Sequence, residues 1–324
     1  MAGRRQRRHG HGGLLHDGRR LDRAMNAHRF HRYRTRDVPV PGGALRVGVW
    51  EPTGPVRGEI LAVHGVTSSH RVWAHTVERL PGVRIIAPDL RGRGRSTAAR
   101  PAGMARHADD LALVLAETSG RVPVVVGHSM GGFVSVVLAH RHPDLLDRLL
   151  LVDGGLPLQA PVGLSPEETV AAILGPTAAR LRMRFDDEAD YLRFWRVHPA
   201  FPPPWTPELE DYFRYDLLDA GDGALRPATS EAVTIEDTLD LTTGSALRAA
   251  VDALGHPTRL LTVPRGLRDE EPGLYAPDHL SAVVRERPAI SHRRVAGFNH
   301  YSILLTPEGG AVVADEVVGA LQAA

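Results

Sequence analysis

A chain of 324 residues, 43% of them apolar, can bury a sizeable core and has an ordinary length for one α/β domain carrying an insertion. It contains no cysteine, which excludes disulfides, thiolate zinc sites and a cysteine nucleophile, and no lysine, which excludes a Walker A loop and a Schiff-base lysine. The net charge of +1 is unevenly divided: residues 1–36 hold eleven arginines against two aspartates, formally +9, leaving −8 for the remainder, which argues against nucleic acid as the main partner.

Residues 1–36 read as a basic, disordered tail, because apolar residues are sparse and keep no sustained period. The arginine pairs do not open a secretion signal, since only Leu14-Leu15 follows where an apolar core of about 7–15 residues is needed. The same composition leaves two other readings open. One is a stretch upstream of a start at Met25; the other is an arm for nucleic acid or anionic lipid. From residue 38 the pattern changes. Ala44–Trp50 alternates like one strand of an antiparallel pair, and Pro41-Gly42-Gly43 supplies the turn.

Short apolar runs then alternate with helix-like segments. The runs are Ile60–Val63, Val83–Ala87, Val122–Val126, Leu149–Val152, Arg259–Val263 and Ser291–Val295. Helices are expected near 70–80, 105–118, 131–141, 245–254, 277–286 and 308–322. Such alternation implies a parallel sheet covered on both faces, and continuous apolar strands fit that burial. About a hundred residues separate Val152 from Arg259, rich in helical pattern and in joints such as Pro202-Pro203-Pro204. Residues 155–228 are therefore expected to form a helical cap, inserted between core segments 37–154 and 229–324. No run reaches the roughly eighteen apolar residues of a membrane span, and a cytoplasmic location without membrane contact is expected.

Gly127-His128-Ser129-Met130-Gly131 matches G-x-S-x-G between an expected strand and an expected helix. A strained strand-to-helix turn lifts a serine Oγ clear of the backbone, and flanking glycines relieve the crowding. The serine also lies at a helix N-terminus, where backbone N–H groups favour developing negative charge. Seventeen histidines are present, but none has the H-E-x-x-H spacing of a metal site, so neither metal nor cofactor is expected.

Over about residues 38–322 the sequence resembles the α/β-hydrolase family. Besides the serine motif, the resemblance rests on three segments: Val63-His64-Gly65-Val66, the Asp89–Ser96 stretch DLRGRGRS, and Gly297-Phe298-Asn299-His300-Tyr301. It implies a mostly parallel eight-stranded sheet flanked by helices, with Ser129 as nucleophile and His300 as general base. It further implies an oxyanion hole from the N–H groups of Val66 and Met130. The acid that orients the histidine is implied at Asp269, after the strand that follows the cap. Asp153, at the end of the strand before the cap, and Glu270 or Glu271 remain alternatives. His64 and His128 are expected to shape their loops, and residues 89–96 to frame the site.

The expected cap concentrates aromatics: nine of seventeen fall within residues 185–215. Tyr191, Phe194 and Trp195 share a helical face and are candidates for an apolar substrate pocket, although cap packing would use them equally. The implied reaction is hydrolysis of a small or medium-sized carboxylic ester, or a related acyl compound, through an acyl-serine. Carbon–carbon bond hydrolysis and cofactor-free perhydrolysis use the same triad, and a hydrolase fold can also serve as a ligand receptor. A serine in the nucleophile position argues against dehalogenase or epoxide hydrolase chemistry, which needs an aspartate there.

Overall fold

The computed structural model describes residues 29–159, 168, 175 and 179–324. Residues 1–28, most of the expected tail, lie outside the described residues. The tail boundary at residue 36 is corrected by strand β1 (His31–Val40), which begins within that segment. The arginines conceal an alternation. His31 and Tyr33 are buried, while Arg32, Arg34 and Arg36 face solvent, as the period of two requires. His31 Nε2 lies 2.8 Å from the Val83 carbonyl, and Arg34 donates to Glu51 at 2.7 Å.

Nine further strands follow: β2 (Gly43–Pro52), β3 (Gly58–Val63), β4 (Val83–Pro88), β5 (Val122–His128) and β6 (Leu146–Val152), then the short β7 (Leu217–Asp219) and β8 (Leu225–Pro227), then β9 (Thr258–Thr262) and β10 (Ile290–Arg294). Eight of them form one sheet in the order β1-β2-β4-β3-β5-β6-β9-β10, and β7 and β8 form a separate hairpin. Strand β2 runs antiparallel to both neighbours, and every other adjacent pair in the large sheet is parallel.

Both faces of this sheet are buried, which is why its central strands are continuously apolar. Alternate residues serve two cores: Ile60, Ala62, Val124, Val126, Leu150 and Val152 face one side, and Leu61, Val63, Val125, Leu149 and Leu151 face the other. The second face is covered by α1 (Met104–Thr118) and α2 (Met130–Arg141). The long loop after β6 carries α3 (Glu188–Arg196), α4 (Pro207–Tyr215), α5 (Glu231–Thr243) and α6 (Ser245–Asp252). Helices α7 (Pro277–Arg285) and α8 (Pro307–Gln322) complete the domain. Helix α5 is the one long helix that the periodicity does not announce; Ser230 caps it, accepting from Val233 N–H at 3.4 Å. Among the described residues no helix is long and apolar enough to cross a membrane.

The described part of segment 155–228 is organised by its own aromatics. Asp187 and Thr206 cap α3 and α4 by accepting from Asp190 N–H and Leu209 N–H. Trp195 and Phe213 then stack with ring centroids 4.6 Å apart, and Phe201 meets both edge-on. Hydrogen bonds fasten this unit over the carboxyl ends of the sheet strands. Tyr215 Oη donates to Asp89 at 2.8 Å, Arg95 donates to the carbonyls of Tyr215 and Leu217, and Tyr212 Oη donates to Ser68 at 3.1 Å.

Candidate active site

Strand β5 ends where α2 begins, and Ser129 stands at the junction with φ 54° and ψ −124°. That backbone is costly for a non-glycine residue and is held by packing around it. Ser129 N–H donates to the Val152 carbonyl at 3.0 Å. The flanking glycines are required for lack of space: a Cβ at Gly131 would stand 2.1 Å from the Val63 carbonyl oxygen, and one at Gly127 would stand 2.4 Å from the Gly131 carbonyl oxygen. The elbow therefore presses against the end of β3, bringing Val66 and Met130 to the same cavity as Ser129 and His300.

His300 follows β10 and is buried. Its Nδ1 lies 2.6 Å from Asp153 Oδ2, and Val263 N–H donates to the other carboxylate oxygen at 3.3 Å. Asp153 is fully buried, one residue beyond β6, in the left-handed region at φ 46°. The expected assignment of the acid to Asp269 is corrected by this geometry. The loop after β9 folds back at Gly266, and the Asp269 carboxylate pairs with Arg265 at 2.9 Å and accepts from Asn299 Nδ2 at 3.1 Å. It thus engages the residue before His300 and leaves the imidazole to Asp153.

Two further histidines brace the site as neutral rings. His64 Nδ1–H donates to the Gly65 carbonyl at 2.7 Å, and its Nε2 accepts from Leu90 N–H at 2.9 Å, tying the loop after β3 to the loop after β4. Burial pulls its pKa down to about 4. His128 Nε2 lies 2.9 Å from the His300 carbonyl, and burial, then the nearby His300, holds it well below the usual imidazole range.

A sheet of this order with one antiparallel strand, a serine at the β5 elbow and a histidine after the last strand agree with the family comparison. The profile of the alpha/beta hydrolase fold matches residues 59–213. The chain has the α/β-hydrolase fold. It is 39% identical over 130 residues to the lipase LipV of Mycobacterium tuberculosis, a match covering 40% of this chain and 48% of the lipase. It is 33% identical over 104 residues to the mouse protein ABHD8, covering 30% of this chain and 24% of that protein. The chain thus matches less than half the length of either relative. Among solved structures, E-2-(acetamidomethylene)succinate hydrolase superposes with a TM-score of 0.72 at 23% identity, covering 90% of this chain and all of that one. An esterase of Mycobacterium tuberculosis superposes with a TM-score of 0.68 at 19% identity, covering 94% and 97%. At such identities these structures speak for the fold alone.

The space around Ser129 is lined by other residues than expected. Tyr191, Phe194 and Trp195 do not line the cavity at Ser129. Tyr191 and Trp195 are buried in the cap's aromatic core, where Tyr191 Oη donates to Asp216 and accepts from Arg180, and Phe194 packs against the same cluster. Their helical spacing reports packing of α3. The small chamber holding Ser129 and His300 is walled instead by Val66, Met130, Phe133, Leu158, Leu241, Leu267 and Leu274. Five of these side chains, all but Val66 and Met130, also wall an adjoining cavity of about 410 Å³, whose polar lining is Gln159, Thr242, Arg248 and Glu270. On the other side of Ser129 and His300 lie Ser68, Val72, Tyr212, Tyr301 and Leu305. Sequence reading missed Leu241, Leu267 and Leu274 because they come from α5 and the loop after β9, which share no period. Among the described residues no group of three or more His, Asp or Glu could hold a metal ion.

Proposed function

We propose that the protein hydrolyses small to medium-sized carboxylic esters through an acyl-serine formed on Ser129. The observation that carries this reading is the 2.6 Å contact between His300 Nδ1 and Asp153, with His300 and Ser129 in one chamber. Asp153 fixes the tautomer that leaves Nε2 free to take a proton, so His300 can deprotonate Ser129 as its Oγ attacks the ester carbonyl. The tetrahedral oxyanion would accept from the N–H groups of Val66 and Met130. His300 then protonates the departing alcohol, the acyl group remains on Ser129, and a water activated by the same imidazole releases the acid.

The leucines and Phe133 of the adjoining cavity support an acyl chain longer than acetyl: each methylene buried against them contributes about 0.8 kcal/mol. Its finite volume argues against long-chain triglycerides. The lipase among the relatives supports ester chemistry for the class. The test is labelling with a fluorophosphonate probe, followed by kcat/KM across p-nitrophenyl esters from acetate to palmitate. Labelling of wild type but not of Ser129→Ala, with a maximum at intermediate chain length, is expected. Labelling elsewhere, or none, would sink the acyl-serine reading; a maximum at acetate or a steady rise to palmitate would sink the enclosed cavity.

A further inference from the structure

Arg93 is an interior residue of the 89–96 loop that no part of the mechanism above uses. Its side chain is fully buried. The loop can turn it inward because Gly94, at φ 53°, passes so close to Asp89 that a Cβ there would stand 2.0 Å from the Asp89 carboxylate. Once inside, the guanidinium touches both residues assigned to the oxyanion hole. Nε donates to the Val66 carbonyl at 2.8 Å, and one terminal nitrogen lies 3.9 Å from Met130 Sδ, a weak acceptor. The other terminal nitrogen donates to the Arg91 carbonyl at 2.7 Å and pairs with Asp237 at 2.6 Å.

Asp237 is not a passive counter-ion. It sits on α5, lines the chamber that holds Ser129 and His300, and accepts from Gly103 N–H and His107 Nε2. Burial alone would raise its carboxyl, but His107 and Arg93 hold it well below the usual carboxylate range. A planar guanidinium with a fixed fork is suited to such bridging, whereas a lysine amine is a single flexible point charge.

We propose that Arg93 is a positioning residue that sets the spacing of the two oxyanion donors, by holding the Val66 carbonyl and the Met130 side chain in one rigid frame anchored on Asp237. The proposal rests on the acyl-serine reading and adds a residue to it. Arg93 touches no substrate; clamping the Val66 carbonyl restricts rotation about the Val66 Cα, and with it the direction of the N–H in the preceding peptide unit. An oxyanion hole is useful only while its donors point where the charge develops, so loosening one peptide should weaken the transition state and spare ester binding.

The experiment compares wild type with Arg93→Met and Arg93→Lys, using a p-nitrophenyl ester and a trifluoromethyl ketone that binds serine hydrolases as a tetrahedral oxyanion. In Arg93→Met, kcat should fall about 10- to 100-fold with KM within about twofold, and the ketone should bind more weakly by a similar factor. Arg93→Lys should recover only part of the loss. If Arg93→Met does not fold, the double variant with Asp237→Asn, which removes the stranded buried charge, is measured in its place against the same criteria. An unchanged kcat in the folded variant, or a lowered kcat with unchanged ketone affinity, would overturn the proposal. Failure of fluorophosphonate to label wild-type Ser129 would overturn the acyl-serine reading beneath it, and is separable because it needs no variant of Arg93.

Discussion

His300 and Asp153 meet at 2.6 Å although 147 residues separate them in the chain. The contact spans the whole stretch between β6 and β10. It forms because β6, which delivers Asp153, lies between the serine strand β5 and β9, two strands from the histidine strand β10.

The two acid candidates should separate cleanly in mutants. Asp153→Asn is expected to lower kcat by about a thousandfold or more, since the histidine would hold the wrong tautomer. Asp269→Asn, which loosens only contacts to Arg265 and Asn299, should cost less than about tenfold. Purified variants assayed on one ester decide it; the reverse ranking would return the acid to the loop after β9.

Ser129→Ala should remove turnover by several orders of magnitude and leave the melting temperature close to that of wild type. A variant retaining more than about a tenth of wild-type activity would place the nucleophile elsewhere.

Chain-length preference should follow the cavity walls and be independent of the cap's aromatic core. Leu241 lines both cavities, so Leu241→Trp should take up space there and move the kcat/KM maximum toward acetate. Trp195→Ala should leave the maximum where it is and cost about 3–5 kcal/mol of stability, because that ring is buried among Tyr191, Phe201 and Phe213. A shifted maximum in Trp195→Ala, with Leu241→Trp unchanged, would restore the pocket to α3.

Stability should fall as pH drops from about 6.5 toward 4. His64 has a folded pKa of about 4 against an ordinary 6.5, so in this window the unfolded chain binds a proton that the folded one refuses. Stability contributed by the neutral ring is therefore complete above pH 6.5 and is lost on acidification at about 1.4 kcal/mol per pH unit. Burial lowers His31, His70 and His128 as well, which steepens the slope. Urea denaturation at pH 7 and pH 5 measures it, and His64→Gln should flatten the difference.

The sequence by itself determined most of the elements and the candidate nucleophile. Continuous apolar strands flanked by amphipathic helices impose a sheet buried on both sides, and G-x-S-x-G between a strand and a helix marks Ser129, because both signals are local. His300 was legible as the histidine beyond the last strand. The tail boundary was misplaced because eleven arginines mask the inward His31 and Tyr33. The carboxylate that meets His300, the walls of the cavity at Ser129 and the burial of Arg93 were decided only by tertiary structure. Two carboxylates stood at the ends of plausible strands, and nothing local says which one its neighbours leave free: Arg265 and Asn299 hold Asp269, while Asp153 is turned toward His300. In the same way Tyr191, Phe194 and Trp195 share a helical face whatever that face meets, and only the packing of α3 onto Phe201 and Phe213 turns it away from Ser129. The cavity is walled by leucines from α5 and from the loop after β9, brought together because the chain leaves the sheet after β6 and returns to it at β9.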